Sequence, residues 1–111
     1  MKWFWQRRSS GPQIPDKSGD REEARAAQEH LARFIKDRIG VEAFVEPRTS
    51  FTPMTVVLVA NTGEWTRRAV AHEGLLRWLS EEGRIPVYDV HQVGYPRRMR
   101  EYNSRRKADR G

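Results

Sequence analysis

Thr55-Val56-Val57-Leu58-Val59-Ala60, then Asn61-Thr62-Gly63, then Glu64-Trp65-Thr66-Arg67-Arg68-Ala69-Val70 is the stretch on which the fold turns. The first six residues are mostly β-branched and show no polar alternation, so they predict a strand buried on both faces. Asn61-Thr62-Gly63 reads as a hairpin turn in which Gly63 supplies a positive φ. Glu64 to Val70 then returns as an antiparallel third strand, with Trp65 and Arg67 on one face and Arg68 on the other.

The chain on either side of this hairpin completes the pattern. Upstream, Val41, Ala43 and Val45 alternate with Glu42, Phe44 and Glu46 until Pro47, which predicts a half-exposed first strand. Before it, Ala24, Ala27, Leu31, Phe34 and Ile35 recur at helical spacing, with Asp20 and Glu23 as a capping box and Gly40 as a left-handed terminator. Downstream, Leu75, Leu76, Trp78 and Leu79 form one face of a second helix closed by Gly83, and Pro86 introduces a fourth strand over Val87 to Val90. The order is α-β-β-β-α-β. A helix between the third and fourth strands implies a right-handed crossover and makes them parallel. The expected fold is therefore α/β, in detail an α+β two-layer arrangement on a mixed four-stranded sheet.

In 111 residues, 37% hydrophobic and 32% charged side chains leave room for one small core. The absence of cysteine excludes disulfides, thiolate zinc sites and cysteine nucleophiles. The longest apolar run, Val56 to Ala60, is far short of the roughly 20 residues that cross a bilayer. Trp3, Phe4 and Trp5 fall short of a signal peptide's apolar region, so a cytoplasmic protein is expected. The net charge of +6 is uneven: residues 1–20 carry +2, residues 97–111 carry +5 and the middle carries −1. Pro, Gly and Ser crowd Ser9 to Gly19. The predicted organisation is thus a basic aromatic leader and linker over residues 1–19, one α/β domain over 20–96 and an Arg-rich tail over 97–111.

The tail carries the strongest functional signal. Arg97, Arg98, Arg100, Arg105, Arg106, Lys107 and Arg110 make a dense cationic run, and Met99 and Tyr102 would give a short helix after Pro96 one apolar edge. Guanidinium groups grip phosphate bidentately and stack on bases. Trp65 with Arg67 and Arg68 would extend such a surface, the tryptophan stacking a base and the arginines meeting phosphate. The plain structural alternative packs Trp65 under the first helix and leaves the arginines solvated. The expected function is a non-enzymatic binding module for nucleic acid or a ribonucleoprotein. A peripheral membrane or protein adaptor is the second reading, with Trp3, Phe4 and Trp5 at an anionic lipid surface or partner groove and Arg7 and Arg8 meeting acidic groups.

Catalytic signals are thin. His30, His72 and His91 are scattered, Asp89 and His91 would share a strand face, and Glu81 and Glu82 point apart on a helix. Two ligands do not make a metal site, Ser50, His91 and Asp89 have no nucleophile-elbow context, and no G-x-G-x-x-G opens a helix. No catalytic residue, cofactor or metal centre is expected.

The α-β-β-β-α-β order over residues 20–92 resembles the common core of the restriction-endonuclease-like fold. The resemblance implies a Pro-Asp at the start of the second strand and an acidic-x-Lys on the third, which hold a divalent metal. Pro53-Met54 and either Glu64-Trp65-Thr66 or Thr66-Arg67-Arg68 stand at those positions here. A thioether at Met54 is a poor magnesium ligand, so a degenerate core without nuclease chemistry is implied. Three further sets of strings resemble those of small uncharacterised actinobacterial proteins: Phe44-Val45-Glu46-Pro47, Val57-Leu58-Val59-Ala60 with Gly63-Glu64-Trp65-Thr66-Arg67-Arg68, and Ile85 to Val90 with Val93 to Arg100. That likeness implies lineage and carries no mechanism.

Overall fold

A computed structural model describes residues 17–72 and 74–110, with side chains from Arg21 to Asp109. Its elements are α1 (Lys17–Asp37), β1 (Glu42–Glu46), β2 (Thr55–Val59), β3 (Trp65–Ala69), α2 (Gly74–Glu81), β4 (Val87–Asp89), α3 (Val90–Val93) and α4 (Arg97–Arg110). The α-β-β-β-α-β core and the mixed four-stranded sheet are as the sequence predicts.

The sheet order is β3-β2-β1-β4. β2 pairs antiparallel with both neighbours, Val57 opposite Phe44 on one side and Arg67 on the other. β4 joins the far edge of β1 in parallel, with Tyr88 opposite Phe44. β3 and β4 therefore run in the same direction, as expected, but at opposite edges of the sheet.

Alternation along β2 divides the interior in two. Val56, Leu58 and Ala60 join Val41 and Ala43 on one face, covered by Leu31 and Phe34 of α1, Leu75 and Leu79 of α2, and Ile85. Val57 and Val59 join Phe44 on the other face, covered by Val90 of α3, Met99 of α4 and, at the rim, Trp65. Helices thus cover both faces, which corrects the two-layer expectation. The physical reason is that α4 has only Met99 and Tyr102 to signal a buried edge, and fourteen residues so rich in arginine do not read as a packing element. The same covering buries Phe44 to 4% exposure, so β1 is not half-exposed.

Two boundaries also differ. α1 is already helical at Lys17, so Lys17 to Gly19 belong to the helix rather than the linker, and Asp20 lies inside it. A glycine in a helix costs at most about 1 kcal/mol, and Gly19 lies in the first turn, so the packing of the helix's second half outweighs it. β4 stops at Asp89, because its carboxylate accepts a hydrogen bond from the His91 backbone N–H at 2.8 Å and starts α3. His91 is consequently helical and shares no strand face with Asp89. Gly40 does take a left-handed φ of 65° after α1, as predicted.

Candidate nucleic-acid interface

α4 is fixed to the body by its first two turns. Pro96 precedes the helix, and its carbonyl accepts from the N–H groups of Met99 and Arg100. Met99 is buried against Val59 and its neighbours, and the β2–β3 turn tucks a buried Gly63 beneath the helix. Arg98 fastens the contact: its Nε donates to the Ala60 carbonyl at 2.8 Å, and its Nη2 donates to Glu42 at 2.8 Å and to the Val59 carbonyl at 3.2 Å. Of the tail cations, Arg98 is therefore a docking residue.

The other cations of α4 lie further out. Arg97, Arg100, Glu101, Ser104 and Arg105 line a shallow hollow of about 500 Å³. Arg100 donates to the Tyr95 carbonyl at 2.7 Å, and Arg105 donates to the Thr62 carbonyl at 3.1 Å across the β2–β3 turn. Arg106 donates to the Tyr102 hydroxyl at 3.1 Å, and the guanidiniums of Arg105 and Arg106 lie over the Tyr102 ring at 5.9 and 5.6 Å from its centroid. Lys107 is exposed. Among the described residues, ion pairs form at Arg38, Arg67 and Arg98, and none forms at Arg97, Arg100, Arg105, Arg106 or Lys107.

The structure joins the two basic segments that the sequence singles out. Trp65 packs at the rim of the α4-side cluster, and its indole N–H donates to the Asn103 side chain at 2.8 Å. It therefore lies under α4, on the face opposite α1. Arg67, on the same face of β3, sits over the Trp65 ring at 5.1 Å from its centroid. Arg67 is itself anchored, donating through Nε and Nη2 to the two oxygens of Glu46 at 2.8 and 2.9 Å. Thr55 and Tyr95 also donate their hydroxyl protons to Glu46. Burial works against this carboxylate, but hydrogen bonds from Arg67, Thr55 and Tyr95 outweigh it and hold its pKa at about 2. The four residues floor a cleft of about 480 Å³ walled by Pro47, Pro53, Val90 and His91.

Arg68 projects to the α1 side. There His30 Nε2 and Thr66 Oγ1 share a hydrogen bond of 2.7 Å. Burial and the charges of Arg68, Arg33 and Arg38 push the His30 pKa below its ordinary value. Arg38 donates to Glu64 at 2.6 Å and lies 4.2 Å from the centre of the Phe34 ring. The Arg38 hydrogen bond lowers the Glu64 pKa against the effect of burial. The β3 edge is thus bordered by cations from α1, from the strand and from α4.

Trp3, Phe4, Trp5, Arg7 and Arg8 lie outside the described residues, as do Ser9 to Asp16. Met54 precedes β2 and accepts the Val70 N–H at 2.9 Å through its backbone carbonyl, while Glu64 stands at the far end of the same hairpin. The positions that the nuclease resemblance would pair across Met54 and Glu64 are thus separated by the length of β2. Among the described residues no three His, Asp or Glu side chains gather as metal ligands would, and no helix is long and apolar enough to cross a membrane. Asn103 and Thr62, which fix Trp65 and Arg105, are not singled out by the sequence reading. The signal for Asn103 was its place four residues after Met99 on the docked edge. Compared with family profiles, with curated proteins and with solved structures, the chain matches none.

Proposed function

We propose that this protein is a non-enzymatic binding module that takes nucleic acid, free or in a ribonucleoprotein, on the face formed by α4 and the β3 edge. One observation carries the reading: Arg97, Arg100, Arg105, Arg106 and Lys107 lie on a helix docked to the sheet, and no carboxylate among the described residues is within ion-pair distance of them, Glu64 feeling the charge of Arg106 only from further away. A flexible cationic segment would lose conformational entropy on meeting phosphate, whereas a docked helix has already lost it. Arg67 and Arg98 are committed to Glu46 and Glu42, so they contribute scaffold more than charge. A cytoplasmic setting and kinship with small actinobacterial proteins are part of this proposal. So is a scaffold akin to the restriction-endonuclease-like core, binding without cleaving.

Salt dependence tests it. With about five phosphate contacts, log affinity for duplex DNA falls against log salt with a slope of about −4. Changing Arg105, Arg106 and Lys107 together to Ala should flatten that slope by about two to three, with the thermal midpoint little changed because the set loses one exposed hydrogen bond to the body, from Arg105 to Thr62. An unchanged slope and affinity would move the interface elsewhere and favour the adaptor built on Trp3, Phe4 and Trp5.

A further inference from the structure

We infer that the α4–β3 face reads the phosphate backbone of a duplex and does not stack unpaired bases. The inference rests on the nucleic-acid reading above and specifies the form of its ligand.

Proteins that hold single strands combine cations with aromatic rings left bare for successive bases. Among the described residues this face carries Trp65 and Tyr102, both occupied, and at its margin Tyr95, which is 37% exposed and whose hydroxyl is held by Glu46. Trp65 is half-buried against the cluster of Met99, Phe44, Val57 and Val59, its N–H edge is held by Asn103, and the Arg67 guanidinium lies over its ring. For a base to replace that guanidinium, Arg67 must leave Trp65, yet both oxygens of Glu46 hold it there. Glu46 is in turn fixed by Thr55 and Tyr95, so uncovering the indole means dismantling four side chains. Tyr102 carries the guanidiniums of Arg105 and Arg106 over its ring, and its hydroxyl accepts from Arg106.

The exposed aromatic nearest in character to a stacking platform is Phe51, 94% accessible. It sits on the loop before β2, held in a turn by the Thr49 hydroxyl, which accepts from the N–H groups of Phe51 and Thr52. That loop enters β2 at Thr55, whereas Arg105 and Trp65 lie by the turn that leaves it. A five-residue strand separates the two by about 17 Å, so Phe51 does not complete the α4 face.

The cations, by contrast, follow one another closely along the helix, although Arg106 projects from the side opposite Arg97. Arg97 to Lys107 spans about 15 Å at the α-helical rise. Over that distance a duplex presents a phosphate every ~1.7 Å of axis, counted over both strands, twice the density of one strand.

The deciding measurement is fluorescence anisotropy with a labelled 20-base-pair DNA duplex and a labelled 20-nucleotide oligo-dT as probes, titrated with the full chain at one salt concentration. The duplex is expected to bind several-fold more tightly. Trp65→Leu, checked by its circular-dichroism melt, removes the aromatic ring and is expected to change either affinity less than about twofold, since the ring stacks no base. Loss of a genuine stack would weaken oligo-dT by about fivefold or more, the equivalent of ~1 kcal/mol. The inference falls if oligo-dT binds as tightly as the duplex, or if Trp65→Leu weakens oligo-dT alone by that factor. The duplex-to-single-strand ratio of the unaltered chain decides the matter whether or not the variant folds. If neither probe binds, the nucleic-acid reading itself falls.

Discussion

A Cβ built on Gly63 would stand 2.1 Å from the carbonyl oxygen of Arg98, with Tyr102 Cβ at 2.8 Å. The β2–β3 turn is pressed against the backbone of α4, and Gly63 has a φ of +94° that side chains rarely adopt. Gly63→Ala meets both penalties, and the first cannot be relieved by turning a side chain. The expected loss is about 3 kcal/mol in a urea melt, with Trp65 fluorescence shifting as α4 lifts from the sheet. A variant as stable as the parent, with unchanged emission, would mean that the helix is not seated on this turn.

Acid sensitivity should concentrate in Glu46. Its folded pKa of about 2 lies below its ordinary 4.5, so the carboxylate contributes stability that is present above pH 4.5 and lost as the pH falls through about 2. Glu46→Gln removes the charge that Arg67 and the hydroxyls of Thr55 and Tyr95 surround. It should cost about 2 kcal/mol at pH 7 and make the stability curve between pH 5 and pH 2 shallower than the parent's. Parallel curves in urea titrations across that range would contradict the assignment.

The end of α2 stores strain that a single change relieves. Arg84 has a φ of 57° directly after Gly83, where Ile85 N–H donates to the Leu79 carbonyl at 3.3 Å. A left-handed residue at this point of a helix terminus is usually glycine, and a side chain there costs about 1 kcal/mol. Arg84→Gly should therefore raise stability by ~0.5–1 kcal/mol and the calorimetric midpoint with it. A lower midpoint would show that Arg84 makes a compensating contact.

His30 offers a reporter on the opposite side of β3. Burial first, then the charges of Arg68, Arg33 and Arg38, lower its pKa from 6.5, so the folded chain binds this proton more weakly than the unfolded one. The corresponding stability is present above pH 6.5 and is lost as the pH falls toward the folded pKa. Arg68→Ala should move the imidazole's titration part of the way back toward 6.5, read from its ring-proton NMR shifts. A titration that stays where it was would leave burial and the charges of Arg33 and Arg38 as the cause.

The legible part of this fold is the part whose signals are local. Val56 to Ala60 announces its two buried faces through composition alone, Gly63 announces the turn, and the Leu31–Phe34 and Leu75–Leu79 spacings place α1 and α2 on one side of the sheet. The other side was obscure because its cover is built from exceptions. Met99 is one apolar residue among the cations of α4, Arg98 makes its contacts with carbonyls that no sequence pattern displays, and Phe44 looks like the polar-face member of an alternating strand until a helix lies over it. Trp65 could be placed on a face of β3 with Arg67, but its partner, Asn103, is thirty-eight residues away. Which helix covered it was a question of long-range register. Asp89 and His91 look like strand neighbours for a local reason: an aspartate two residues before a histidine serves a strand and a helix cap equally well.

Arg67 and Arg68 stand side by side on β3, and β3 is an open edge of the sheet, with one row of backbone N–H and C=O groups unpaired by any strand among those described. Two such edges brought together antiparallel would set guanidinium against guanidinium at the middle of the pairing, which like charges oppose. Arg68, with no carboxylate at ion-pair distance among the described residues, therefore disfavours edge-to-edge growth of one sheet through a strand that otherwise offers Trp65, Thr66 and Ala69 for pairing, while Arg67, neutralised by Glu46, adds little.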